Sequence, residues 1–107
     1  MPVIRIDYDN EKVKDEDVKA LSEATREIVV EVTKLDDVFV YANSSQIKVG
    51  IHPIEIFVEV SAHKISEPDK TIAEVKSRLA EWKEKNGFPH LINLTLSPMQ
   101  WKIETGI

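Results

Sequence analysis

A repetition constrains this chain more than any other feature. Pro2-Val3-Ile4-Arg5-Ile6 and Pro53-Ile54-Glu55-Ile56 open two stretches about fifty residues apart, and a helical pattern and a further strand pattern follow each. In the first stretch Ile4, Ile6 and Tyr8 alternate with Val3, Arg5 and Asp7. In the second, Ile54, Ile56, Val58 and Val60 alternate with Glu55, Phe57, Glu59 and Ser61. Because successive strand side chains point to opposite faces, each strand has one wholly apolar face and one mixed face. Two β-α-β units with such strands pair into one four-stranded mixed sheet carrying both helices on a single face, an α+β architecture. The 107 residues are read as one domain, residues 1–107, with halves of about 1–47 and 52–107.

Between the strands the apolar spacing changes from two to three or four. Val18, Leu21, Ala24, Ile28, Val32 and Leu35 form one helical stripe, which predicts a helix over about 16–34 with Asp15 as its N-cap. Ile72, Val75, Leu79 and Trp82 form a second stripe. Ser66 offers a cap, Pro68 sits in the first turn and Asn86-Gly87 closes the segment, giving a helix over about 68–86. Asp36-Asp37 leads into a strand at 38–42, and the polar segment 43–50 reads as loop or a short hairpin. The last main strand covers 90–96, Ser97-Pro98 breaks it, and the tail 99–107 is a candidate edge strand.

Composition removes several function classes. The chain has no cysteine, which excludes disulfides, thiolate nucleophiles and cysteine-ligated zinc. Its formal charge of −5 and the absence of a dense basic stripe argue against nucleic-acid binding. No apolar run is long enough to cross a membrane and no signal-peptide core follows Met1, so a cytoplasmic protein handling a small molecule is expected. Glu55, Glu59 and His63 share a strand face but are spread too far along it for one ion, so no metal and no cofactor is expected.

Pro2 is the candidate catalytic group. When Met1 is removed, Pro2 becomes a secondary amine held in a rigid ring. An α-amino group titrates near ~7.7–8.0, and desolvation or a nearby cation lowers that value. A neutral amine at pH 7 takes a proton from carbon beside a carbonyl. The alternative is that Pro2 only begins a strand. Arg5, on the mixed face, either holds a substrate carboxylate or pairs with Glu55 or Glu59.

An amino-terminal proline opening a doubled β-α-β repeat of this length resembles the tautomerase superfamily, in its macrophage migration inhibitory factor and 5-carboxymethyl-2-hydroxymuconate isomerase branches. Met1-Pro2 with Arg5, His52-Pro53, and His90-Leu91 through Pro98 and Gln100 resemble a small bacterial family of unassigned function with that fold. The resemblance implies a homotrimer whose sheets enclose a central barrel, with a pocket at each subunit boundary. It implies Pro2 as the catalytic group and Lys34 as the lysine that binds a substrate carboxylate or carbonyl oxygen. Ala62 stands where a backbone N–H is donated, with Lys64 in the same pocket segment, and Asn93 stands where a neighbouring subunit supplies a polar group. The pocket tyrosine of that pattern is Leu91 here.

Three functions follow as expectations. One is an isomerase of a small keto or enol acid with Pro2 as general base. Another is a non-catalytic trimer that binds a metabolite or partner. The last is a dehalogenase or hydratase in which protonated Pro2 is a general acid.

Overall fold

The structure is a computed structural model and describes residues 2–107. Its elements run β1 (Val3–Tyr8), α1 (Asp15–Thr33), β2 (Phe39–Asn43), β3 (Ile54–Ser61), a short 3-10 turn (Ala62–Lys64), α2 (Pro68–Asn86) and β4 (Ile92–Met99). The sheet order is β2-β1-β3-β4. β1 is parallel to β2 and β3 to β4, while the two halves meet antiparallel along β1 and β3. Each half is thus a parallel strand pair joined across a helix, as the repetition in the sequence requires.

The even-numbered strand positions build the core. Ile4, Ile6, Ile54, Ile56 and Val58 are shielded from solvent together with Val18, Leu21, Ile28 and Val29 of α1 and Val75 and Leu79 of α2. Both helices therefore cover the same face. Thr25 is fully buried among these apolar groups, and its hydroxyl donates to the Leu21 carbonyl at 2.7 Å, which meets its hydrogen-bonding requirement.

The odd-numbered positions form the uncovered face in three rows. Phe39, Val3, Glu59 and Ser97 share one register level; Tyr41, Arg5, Phe57 and Thr95 the next; Asn43, Asp7, Glu55 and Asn93 the third.

Four local expectations need correction. Lys14, not Asp15, is the N-cap of α1, with no side-chain cap bond. The Asp15 carboxylate instead accepts from the Tyr8 hydroxyl at 2.8 Å. Glu67, not Ser66, caps α2, again without a side-chain bond, and Pro68 takes the first helical position, where its missing N–H costs nothing. β4 runs through Pro98 to Met99. It is an edge strand, so a residue that cannot donate is tolerated there. The tail after Met99 adds no strand.

No helix among the described residues is long and apolar enough to cross a membrane.

Candidate functional site

The parallel and antiparallel pairings bring five chain segments to one end of the sheet. β1 and β2 begin there, α1 ends there, and β3 and β4 finish there. The register pairs Val3 with Glu59, so Pro2 lies at the level of Val60. Pro2 is fully buried, and its carbonyl accepts the Phe39 N–H at 3.2 Å. The link from α1 to β2 is fixed by Arg26, whose guanidinium donates to the carbonyls of Val38 at 3.0 Å and Asp36 at 3.5 Å.

Lys34 caps α1 with φ of +62°, donating its N–H to the Val30 carbonyl. Among the described residues it is the one non-glycine in the left-handed region. That conformation crowds Cβ against the following carbonyl and costs about 1–2 kcal/mol. The second helix ends in the same geometry on Gly87, at +61°, where no Cβ exists to be crowded. The Lys34 side chain is exposed and makes no ion pair or side-chain hydrogen bond among the described residues.

Ala62 and Lys64 follow β3 directly, in the 3-10 turn that the Ile65 N–H closes on the Ala62 carbonyl at 3.2 Å. Two hollows flank this end. One of about 380 Å³ is lined by residues 61–63 and 99–102. Trp101 forms one wall and donates its indole N–H to the Ser61 hydroxyl at 2.8 Å. The other, of about 200 Å³, lies between the end of α1 at Thr33 and the start of α2, with Lys64, Glu67, Lys70 and Glu74 around it. Pro2 and Lys34 line neither hollow. A depression of about 660 Å³ lies elsewhere, between α1 and α2, with an ion pair of Arg78 to Glu31 at 2.6 Å among its lining residues.

Pro2, Lys34, Ala62 and Lys64 are therefore gathered at one end of the sheet. Arg5 and Asn93 are not in that group. The Arg5 guanidinium lies on the uncovered face, 4.5 Å above the Phe57 ring, with the Asp7 and Glu59 carboxylates at 3.4 and 3.9 Å. Of the two expected partners it meets Glu59, and no ion pair joins it to Glu55 among the described residues. Asn93 sits in the row of Asp7 and Glu55, five residues from the level of Pro2, roughly 17 Å along the strands. One copy of the chain does not bring it near Pro2.

The opposite end of the sheet holds a cluster that the sequence pattern did not single out. The Asp9 carboxylate is nearly buried and accepts from the Glu11 N–H at 3.0 Å and the Lys48 ammonium at 3.2 Å. The Glu11 hydrogen bond first, then Lys48, hold this carboxyl below the usual range against the opposing effect of burial. Tyr8 nearby is raised above its ordinary value, chiefly because its hydroxyl donates to Asp15.

This arrangement, a doubled β-α-β sheet with both helices on one face and β1, which follows Pro2, paired between β2 and β3, defines the class of fold. No protein-family model and no curated protein matches the chain. Solved structures do. A malonate semialdehyde decarboxylase inhibited by 3-bromopropiolate superposes with a TM-score of 0.69 at 18% identity, covering 98% of this chain and 91% of its own. A domain of unknown function from Sebaldella termitidis gives 0.66 at 15% identity, covering 100% and 98%. A macrophage migration inhibitory factor-like protein from Entamoeba histolytica gives 0.65 at 16% identity, covering 96% and 95%. The chain has the tautomerase-superfamily fold in its macrophage migration inhibitory factor-like form.

Proposed function

We propose that the protein is a tautomerase of small keto or enol acids, working as a homotrimer, with Pro2 as general base once Met1 is removed. The observation that carries the reading is the strained conformation of Lys34. A lysine occupies a left-handed cap that glycine fills at lower cost, and its exposed amine is left uncommitted at the end of α1. Backbone strain of this kind persists where a side chain is needed for something other than stability.

In the proposed reaction the neutral Pro2 amine takes the enol hydroxyl proton, and the ammonium so formed returns it to a carbon of the enol system, which leaves the ketone and regenerates the amine. Charge develops on the substrate oxygen, and the Lys34 ammonium stabilises it. The Ala62 N–H adds a hydrogen bond to the same region, Lys64 attracts the substrate carboxylate, and Asn93 comes from a neighbouring copy. Arg5 serves the barrel lining, through Glu59, Asp7 and Phe57, rather than the substrate. The inhibited malonate semialdehyde decarboxylase is a structural neighbour named for a small oxo acid, which supports a substrate of that size.

A second reading, a non-catalytic binding protein of the same fold, is favoured by the complete burial of Pro2 and by its absence from the walls of both nearby hollows. A dehalogenase or hydratase ranks behind both, because that chemistry needs a water-activating carboxylate in addition to a protonated Pro2. The discriminating experiment is the ketonisation of 2-hydroxymuconate, followed by absorbance, with protein lacking Met1 and protein retaining it. Catalysis by the first form alone is expected, since retained Met1 makes the Pro2 nitrogen an amide. General-base effects are about 10²–10⁴-fold, so the difference is easily read. Equal rates would move the binding reading ahead.

A further inference from the structure

The two helices leave between them a groove of about 660 Å³, lined from residues 24–31 of α1 and 78–85 of α2. Its floor is apolar. Ala24 and Ile28 are nearly buried, each 8% exposed, and Trp82 lies half-buried with them. Alanine at position 24 leaves room that a longer side chain would fill. The Trp82 ring is packed on Phe88, with centroids 5.3 Å apart, so this wall of the groove is set before anything binds.

The rim is charged, and unevenly. Glu31 is neutralised by Arg78. Glu27 on α1 and Glu81 and Glu84 on α2 are exposed and make no ion pair among the described residues. Against these three carboxylates the lining sets one cation without an ion pair, Lys85. Acids therefore stand on both walls of an apolar floor. A complementary surface is apolar along its middle and cationic along both flanks.

We infer that this groove receives a basic amphipathic helix of another protein. The lined stretch is two turns of each helix, roughly 10 Å, which is the distance from an anchor at i to one at i+7 on a helix laid along it. Apolar anchors at i, i+3 or i+4 and i+7 cover Ala24, Ile28 and Trp82. Lysines or arginines beside that stripe meet Glu27 on one wall and Glu81 and Glu84 on the other. Charge selects this occupant. A second copy of the chain brings the same carboxylates and a formal charge of −5, and the acidic rim repels an anionic lipid surface. Both helices cover the sheet face opposite the one that the proposed trimer encloses, so the groove stays open in monomer and trimer alike. The inference is independent of the chemistry proposed for Pro2.

The probe is a fluorescein-labelled synthetic peptide of about four helical turns, built from leucine, lysine and alanine, with leucines at i, i+3, i+7 and i+10 and lysines beside them. Its fluorescence anisotropy is followed as the full chain is added. Saturable binding is expected, weakening as salt is raised. The same peptide with glutamate for lysine should not bind. A peptide of the original composition in scrambled order loses the stripe and should bind at least about tenfold more weakly. Glu27→Lys/Glu81→Lys, at two exposed positions, should weaken binding by at least about tenfold. Lys85→Glu should tighten it about twofold or more, a gain that a misfolded protein does not give. Absence of binding, equal binding of the scrambled peptide, or charge variants that change nothing would each overturn the proposal. Displacement of the labelled peptide by 1-naphthylmethylammonium at lower concentration than by unlabelled peptide would overturn it in favour of a small cationic ligand.

Discussion

Arg5 and Phe57 face each other across β1 and β3, with the guanidinium carbon 4.5 Å above the ring centroid. They are direct register partners, and of the two aromatics that flank Arg5 in its row, Phe57 and Tyr41, it is the Phe57 ring that the guanidinium covers. The Asp7 and Glu59 carboxylates complete the surround, each from one residue pair along the same face. An aromatic that would otherwise face solvent is thus covered by a cation that two acids retain. The side chains are nevertheless 27–47% exposed, so in one copy each ion pair is worth only about 0–1 kcal/mol.

Arg5→Ala is therefore expected to lower the stability of an isolated, folded copy by no more than about 1 kcal/mol in urea unfolding. In the proposed trimer the same face would be enclosed, and the desolvated acids would lose their cation. The trimer should dissociate at clearly higher protein concentration than wild type, while the activity per assembled trimer stays unchanged. Loss of activity in an intact trimer would assign Arg5 to the substrate instead.

Asp9 supplies a pH-dependent prediction. Its folded value lies below the ordinary one, first through the Glu11 N–H and then through Lys48. A depressed acid contributes stability that is fully present above the unfolded value near ~3.9 and is lost as pH falls through the lower folded value. Melting temperature should therefore drop below about pH 4, and Asp9→Asn should flatten that acid limb. Tyr8 has the opposite sign: raised by Asp15, it contributes stability below its ordinary value near 10 that is lost as pH climbs past it. An acid limb unaltered by Asp9→Asn would remove Asp9 as its cause.

Core and uncovered face should respond differently to truncation. Leu21 has no exposure and belongs to the hydrophobic core, so Leu21→Ala should cost about 2–5 kcal/mol by chemical denaturation. Leu91 is 77% exposed, and Leu91→Ala should leave one copy within about 0.5 kcal/mol of wild type.

How far the sequence could be read follows from these same residues. Strict alternation from Ile54 to Ser61 specifies a strand, its register and its buried face at once, and β3 has those limits. The stripes of α1 and α2 are equally legible, and Gly87 marks an end that the structure keeps. Caps were less legible: Asp15 and Ser66 are good cap residues, yet the caps fall one position away, on Lys14 and Glu67, and the Asp15 carboxylate is taken by the Tyr8 hydroxyl. Pro98 was misleading for a topological reason: a proline ends an interior strand but not an edge strand, and only the sheet order distinguishes them. Of the site, Pro2, Lys34, Ala62 and Lys64 were placed by resemblance. The Asp9–Lys48 pair was not legible, since residues thirty-nine apart meet only after the loop closes.

The sharpest prediction concerns Lys34, because stability and activity should move in opposite directions there. Its φ of +62° costs a β-carbon-bearing residue about 1–2 kcal/mol, and glycine recovers part of that while making the unfolded chain more flexible. Lys34→Gly should therefore stabilise the fold by about 0.5–1 kcal/mol, a rise of a few degrees in melting temperature. It also removes the proposed partner of the developing oxyanion, so kcat/KM for 2-hydroxymuconate should fall by about 10²–10³-fold. Lys34→Ala separates the two effects. It keeps the crowded Cβ, so it should gain no stability, yet it should lose the same activity. The pH–rate profile gives a further reading: without the Lys34 charge, protonation of the Pro2 amine is less disfavoured, and the rising limb should shift toward higher pH. A stabilised Lys34→Gly protein that keeps full activity would show that the strain at this cap has no connection with the reaction.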